Sequence, residues 1–258
     1  MNILIGDIGN SNTKLCLVDS ETFLIKRTIS FNSNYISSFK FLKKTFSRFV
    51  NDKFTKKSAL FSSVVPKHYL CLKRFLSIRY KIRSRELKEN KIKKIVKINI
   101  KNKKQIGSDR IANAVGVYKK YKSNCIVLDF GTATTFDVVT NKGVYNGGII
   151  APGVNLSLKS LVDSADQIPI FSIKKQKKII GKNTIEALRS GFYWGYSGLI
   201  NNIILKIEKE TKKKFKIIFT GGYANLFKNS IRKTYKINKN ITIEGVIEIF
   251  KKNKDYLI

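Results

Sequence analysis

Acidic side chains are scarce in this sequence: 17 Asp and Glu stand against 51 Lys and Arg in 258 residues, a formal charge of +34. Histidine and tryptophan each occur once, proline and cysteine three times. Cys16, Cys71 and Cys125 lie far apart and form neither a CxxC pair nor a zinc spacing with His68, which excludes a disulfide framework and a zinc module. They are read as reduced, buried structural thiols in a cytoplasmic protein, and His68 as a surface or capping residue. No run of about 18 apolar residues occurs, so no membrane-spanning helix is expected. The opening stretch Met1-Asn2-Ile3-Leu4-Ile5-Gly6-Asp7 has no basic leader ahead of its short apolar run. It is therefore expected to be a buried strand, not a secretion signal.

The missing acids raise the question of a polyanionic partner. The excess lysine is spread along the whole chain and accompanies heavy use of isoleucine and asparagine. AT-rich codons encode all three, so base composition alone can supply the charge. No helix-turn-helix, zinc module or aromatic RNA-binding pattern organises the lysines, so any nucleic-acid binding is expected to be nonspecific.

What is present is ample material for a core: 43% apolar and 11% aromatic residues, enough for one large or two small domains. Apolar β-branched runs alternate with helical patterns, which points to an α/β or α+β architecture. Residues 2–7, 13–19 and 23–31 read as successive strands and 58–65 as a fourth. Pro66 suits the first turn of a helix running to about Tyr80. A short strand is expected within 95–100, a helix from about Asp109, and a strand over 124–129. A long helix is expected over roughly 183–210, with Asn183 and Glu186 spaced as N-cap and N3 partner. A further strand over 216–220 runs into Gly221-Gly222, and the basic tail after Ile241 is expected to be helical.

One pattern occurs twice. Asp7-Ile8-Gly9-Asn10-Ser11-Asn12-Thr13 follows the apolar run Ile3-Leu4-Ile5. Asp129-Phe130-Gly131-Thr132-Ala133-Thr134-Thr135 follows Ile126-Val127-Leu128. Each is strand, Asp-x-Gly, small polar residues, strand. Glycines there would let backbone N–H groups approach phosphate oxygens, and Asn10, Ser11, Asn12, Thr13 and Thr132 add short neutral hydrogen-bonding groups. Lys14 could add positive charge. A strand-end aspartate can hold a hard cation or simply cap its own turn. The matched pair suggests a duplicated domain whose two loops face one cleft.

Gly107-Ser108-Asp109-Arg110 adds a carboxylate at a helix start and an arginine able to clamp a carboxylate or phosphate. An ordinary N-cap beside a surface arginine reads the same way from spacing alone. Residues 146–153 look like a close-approach loop between strand and helix or plain turn chemistry. Thr220-Gly221-Gly222 could leave bare backbone for an adenosine.

Taken in order, these motifs resemble type III pantothenate kinases, within the acetate kinase, sugar kinase, Hsp70 and actin superfamily. The resemblance runs from about residue 2 to about residue 250. It takes in Asp-x-Gly-Asn-Ser-Asn-Thr-Lys at 7–14, Ser-Ser-Val-Val-Pro at 62–66 and Gly-Ser-Asp-Arg at 107–110. It continues through Asp-x-Gly-Thr-Ala-Thr-Thr-x-Asp at 129–137, Gly-Gly-x-Ile-x-Pro-Gly at 147–153, Gly-Lys-Asn-Thr at 181–184 and Thr-Gly-Gly at 220–222.

The resemblance implies an α/β fold of two ribonuclease-H-like domains, about 1–115 and 116–258, with an active-site cleft between them and a homodimeric assembly. The C-terminal helix is expected to pack back onto the first half. The implied reaction is ATP-dependent phosphorylation of pantothenate, the first step of coenzyme A biosynthesis. By motif match Asp7, Ile8, Gly9, Asn10, Ser11, Asn12, Thr13, Lys14 and Thr132 would bind ATP. Gly107, Ser108, Asp109, Arg110 and Thr184 would bind pantothenate, with Asp109 as the base. Asp129 would sit near a monovalent cation, K+ or NH4+, and Mg2+ would accompany the nucleotide. Where the family shows Tyr-x-Asn-Pro upstream of Gly107, this chain has Ile100-Lys101-Asn102-Lys103. The alternative is a non-catalytic, regulatory relative that binds nucleic acid through its basic surface.

Overall fold

The computed structural model describes residues 2–50, 58–231 and 233–257. The chain divides into two compact units, Met1–Lys120 with Asn240–Ile258, and Tyr121–Lys239.

In the first unit β1 (Asn2–Ile8) is apolar and almost wholly buried, as a strand covered on both faces must be. It runs antiparallel to β2 (Asn12–Asp19), which in turn pairs antiparallel with β3 (Ile25–Asn32). On its other side β1 is parallel to β4 (Ser58–Ser63), and β4 to β5 (Arg83–Glu86). The order is β3-β2-β1-β4-β5. β6 (Lys97–Ile98) is a two-residue strand.

Side-chain alternation sorts the strands' residues between two faces. Leu4, Ile8, Leu15 and Phe61 pack under α1 (Phe39–Phe49) and α2 (Pro66–Tyr80), which contribute Leu42, Phe46, Leu72 and Phe75. Pro66 stands in the first turn of α2, where its missing N–H costs nothing. The C-terminal helix α7 (Ile241–Lys252) lies on β1 and β4 and crosses α3 (Ser108–Tyr121) very closely. A Cβ added at Gly245 would lie 1.8 Å from the Ala112 carbonyl oxygen, and one at Gly116 2.5 Å from that of Ile241.

The second unit repeats the pattern. β7 (Cys125–Phe130) is antiparallel to β8 (Ala133–Val139), and β8 to β9 (Val144–Pro152). β10 (Lys216–Gly221) and β11 (Tyr235–Ile237) extend the other side in parallel. The order β9-β8-β7-β10-β11 and its strand senses match the first unit strand for strand, the architecture expected of paired ribonuclease-H-like halves. α4 (Val154–Asp163), the 28-residue α5 (Thr184–Thr211) and the single-turn α6 (Ala224–Phe227) complete the unit. Tyr193, Ile200 and Ile204 of α5 pack on Ile126, Leu128 and Phe130. Phe227 stacks on Phe130 at 5.4 Å between ring centres. The Asn183 side chain caps α5 by accepting from the Glu186 N–H at 2.9 Å, as the spacing suggests.

Two expectations change. The third strand starts at Ile25, since Phe23 takes a left-handed conformation (φ 59°) in the β2–β3 turn. Residues 146–152 are not a loop: they form most of β9, whose Gly148 pairs with Asp137. Its glycines mislead because Gly147, at φ 88°, sits inside a strand where glycine ordinarily marks a turn. Among the described residues no helix is long and apolar enough to cross a membrane.

Candidate active site

The hairpin between β1 and β2 carries the first Asp-x-Gly loop. Asp7, half-buried, is at the C-terminal end of β1 and pairs in register with Lys14 on β2 and Ser62 on β4. Gly9 N–H donates to the Asn12 carbonyl at 3.1 Å and closes the turn. Ser33 braces it from below: its hydroxyl lies 2.7 Å from the Gly9 carbonyl and 2.8 Å from the Thr13 hydroxyl. Asn10, Ser11 and Asn12 are exposed at the tip, whereas Ile8 and Thr13 are fully buried. The Ile8 side chain belongs to the core, and the Thr13 hydroxyl is engaged by Ser33. Lys14 Nζ donates to the Asn240 side chain at 2.5 Å, which directs it toward the start of α7.

The β7–β8 hairpin carries the second loop. Gly131 N–H donates to the Ala133 carbonyl at 3.0 Å, a turn one residue tighter than the first. In strand register Ile8 faces Thr13, but Phe130 faces Thr134. Thr134 is thus the structural counterpart of Thr13, and like it is fully buried; the even spacing of the two sequence motifs conceals this shift. Thr132 is exposed at the tip. Two glycines from elsewhere in the unit press on this loop. A Cβ at Gly153 would lie 2.1 Å from the Thr132 carbonyl oxygen. Gly221, at φ 82°, passes so close that a Cβ would meet the Phe130 carbonyl oxygen at 2.5 Å and Asp129 Oδ1 at 2.7 Å. Gly222 N–H then donates to the Phe130 carbonyl at 3.0 Å. Asp129 therefore faces bare backbone where β10 ends.

Back in the first unit, α3 begins at Ser108, and Asp109 lies in its first turn. The Asp109 carboxylate folds back over Gly107, where a Cβ would sit 2.4 Å from Oδ1. Oδ1 also accepts the Arg110 N–H at 2.8 Å. Burial pushes the Asp109 carboxyl above the ordinary carboxylate range, opposed by the Arg110 N–H, the Arg110 guanidinium and Lys88. Val64 joins this segment to the first loop: its N–H donates to the Ile8 carbonyl at 3.1 Å, and its side chain stands 3.4 Å from the Cβ position of Gly107. Val64 thus links the C-terminal end of β1 to Gly107. Thr184, the first residue of α5, is exposed and belongs to the second unit.

Sequence reasoning missed Glu86 and Lys88. Ser108 donates its hydroxyl to Glu86 at 2.5 Å. Burial raises the Glu86 carboxyl, opposed by hydrogen bonds from Ser108 and from the Lys88 and Ser63 N–H groups. The one available signal was a pair of acids, Glu86 and Glu89, in a segment otherwise dominated by lysine and arginine.

Among the described residues no three His, Cys, Asp or Glu side chains cluster to hold a metal. Single carboxylates, hydroxyls and carbonyls are hard oxygen donors, and they fit a magnesium ion whose remaining ligands are phosphates and water.

A family model for type III pantothenate kinases matches residues 3–206. The chain belongs to the type III pantothenate kinase family. The family member from Pelagibacter ubique is 51% identical over 245 residues, covering 95% of this chain and 97% of that protein. The one from Citrifermentans bemidjiense is 35% identical over 254 residues, covering 98% and 100%. Among solved structures, a Campylobacter jejuni protein described as of the Baf family of transcriptional activators superposes with a TM-score of 0.62 at 22% identity, covering 98% of this kinase and 99% of that chain. An archaeal actin homologue gives 0.53 at 12% identity, covering 98% and 100%. At these identities the two likenesses speak for the fold alone, which is that of the actin-like kinases.

Proposed function

We propose that this kinase transfers the γ-phosphoryl group of ATP to the terminal hydroxyl of pantothenate, the first step of coenzyme A biosynthesis. The observation that carries the reading is Asp109. It is a half-buried carboxylate whose pKa desolvation raises, in the first turn of a helix, with Arg110 beside it. Such a group can accept a proton from an attacking hydroxyl while the neighbouring guanidinium pairs with the substrate's own carboxylate.

The hydroxyl oxygen forms a bond to the γ-phosphorus as its proton passes to Asp109. The bond between that phosphorus and the β,γ-bridging oxygen breaks, and ADP leaves with the electron pair. Catalysis of this kind consists mainly of positioning and charge neutralisation. Gly107, Ser108, Arg110 and Thr184 are assigned to pantothenate. Asp7, Gly9, Asn10, Ser11, Asn12 and Thr132 are assigned to ATP, the glycines through backbone N–H groups. The placements of Ile8, Thr13 and Lys14 favour roles in shaping the first loop. Mg2+ would neutralise the phosphates beside Asp7, and K+ or NH4+ would be held at Asp129 near the close-packed Gly221.

A homodimer is supported by α5, on which Gly191, Gly195 and Gly198 have open space beyond their Cα atoms. Trp194 on the same helix and the preceding Ile179 and Ile180 are exposed. Small residues beside exposed apolar ones suit close helix pairing with a second copy. We place the enzyme in the cytoplasm, where ATP is available and its three free thiols would stay reduced.

The test is a coupled assay of ADP formation with pantothenate and Mg2+, with and without K+. Pantothenate-dependent turnover enhanced by K+ is expected; folded protein that does not turn over would overturn the reading.

A further inference from the structure

The stretch that leads into Gly107 is a turn closed by Asn102, which accepts the Lys104 N–H on its side chain at 3.1 Å and the Gln105 N–H on its carbonyl at 3.2 Å, and is anchored by the buried Ile106. Residues 101–105 are all exposed and include no proline. Gly107 adds backbone freedom at the point where the Asp109 carboxylate folds back against the chain. Further support comes from β5 and the turn behind it. Lys88 Nζ donates to the carbonyl oxygens of Lys104 at 3.0 Å and Ile106 at 2.9 Å, both ahead of Gly107. Two residues before Lys88, the Glu86 carboxylate accepts the Ser108 hydroxyl at 2.5 Å, just beyond Gly107. It also accepts the Lys88 N–H at 2.7 Å, which ties the two grips into one unit. Glu86 is itself fixed, since its N–H donates to Glu89 Oε1 at 3.0 Å.

We propose that Glu86 and Lys88 are positioning residues for phosphoryl transfer, clamping the backbone on both sides of Gly107 and so setting where Asp109 and Arg110 meet pantothenate. The inference rests on the assignment of residues 107–110 to pantothenate made above. Two features separate the clamp from ordinary loop closure. A half-buried carboxylate is costly to keep, and this chain spends one of only 17 acids on it. The held atoms also straddle Gly107, two residues before the base, where a small displacement moves the reacting group. A misplacement of about 1 Å can cost about 100-fold in rate.

The experiment measures kcat and KM for pantothenate and for ATP, with melting temperatures, in the full-length kinase. The variants are Lys88→Met, Glu86→Ala, the conservative Lys88→Arg and Glu86→Gln, and Asp109→Asn in parallel. Lys88→Met keeps the side chain's stem at an exposed position and removes its donors, so folding should be preserved. Lys88→Met and Glu86→Ala should lower kcat/KM for pantothenate about 10- to 100-fold and leave the KM for ATP unchanged. Lys88→Arg and Glu86→Gln should recover most of the loss. Unchanged pantothenate kinetics in Lys88→Met and Glu86→Ala, with Asp109→Asn inactive, overturn the clamp alone. An equal rise in both KM values with a lower melting temperature also overturns it, because that is the mark of a merely structural brace. Full activity in Asp109→Asn overturns the site assignment and the clamp with it.

Discussion

Replacing Asp109 with asparagine keeps the shape of the side chain and removes its charge and basicity. The carboxylate lies against Gly107 with its Oδ1 on the Arg110 N–H at 2.8 Å, and an amide oxygen can keep that contact. A positioned general base contributes about 10²- to 10⁴-fold, equivalent to about 2.7–5.4 kcal/mol of barrier, and kcat should fall by that factor. Stability should move the opposite way. Burial is the largest influence on Asp109 and raises its pKa above the unfolded value, so folding favours the protonated form. At neutral pH the ionised group therefore costs stability, and its removal should gain about 1 kcal/mol, as when other functional strain is relieved. For a chain of this size that is a rise in melting temperature of about 2–4 °C. The gain should shrink as pH falls through the carboxylate range, where the wild-type group takes up its proton and the cost disappears. For the same reason the acid limb of kcat/KM should lie above the ordinary carboxylate pKa. The assays are steady-state kinetics and differential scanning fluorimetry from pH 4 to 8. An asparagine variant with near-wild-type turnover would refute the base, and one that melts lower at neutral pH would refute the burial argument.

Gly221→Ala should lose about 1–3 kcal/mol of stability and weaken ATP binding, read by melting and calorimetric titration, because φ is 82° and the new Cβ meets Phe130 and Asp129. Gly245→Ala should lower the melting temperature through a loss of about 1–3 kcal/mol, since its Cβ would fall 1.8 Å from the Ala112 carbonyl and force α7 off α3. Gly195→Glu should give a monomer by light scattering if α5 pairs with a second copy, with a normal far-UV spectrum. The charge of +34 should give sequence-blind DNA binding that collapses between about 50 and 200 mM salt in a mobility-shift titration; sequence-selective binding at physiological salt would favour the regulatory alternative.

Much of this was legible because the sequence signals are local. The strand–Asp-x-Gly–strand echo predicted two hairpins, and both form. Pro66 and Asn183 marked helix starts because their local chemistry is decisive at those positions. What stayed hidden depends on tertiary contact. The one-residue register difference between the hairpins cannot be seen in motifs of equal length. The contact of the Thr13 hydroxyl with Ser33, twenty residues away, has no sign in the motif itself. Glu86 gives no local sign of its contact with Ser108, and β9 was obscured by glycines that suit both turns and irregular strands.

The most direct test is a structure of the enzyme with a non-hydrolysable ATP analogue, Mg2+ and pantothenate. Asp109 should lie within hydrogen-bond reach, about 2.6–3.2 Å, of the pantothenate hydroxyl, with Arg110 on its carboxylate and the phosphates touched by both glycine loops. Pantothenate bound away from residues 107–110, or a nucleotide touched by one loop alone, would contradict the account.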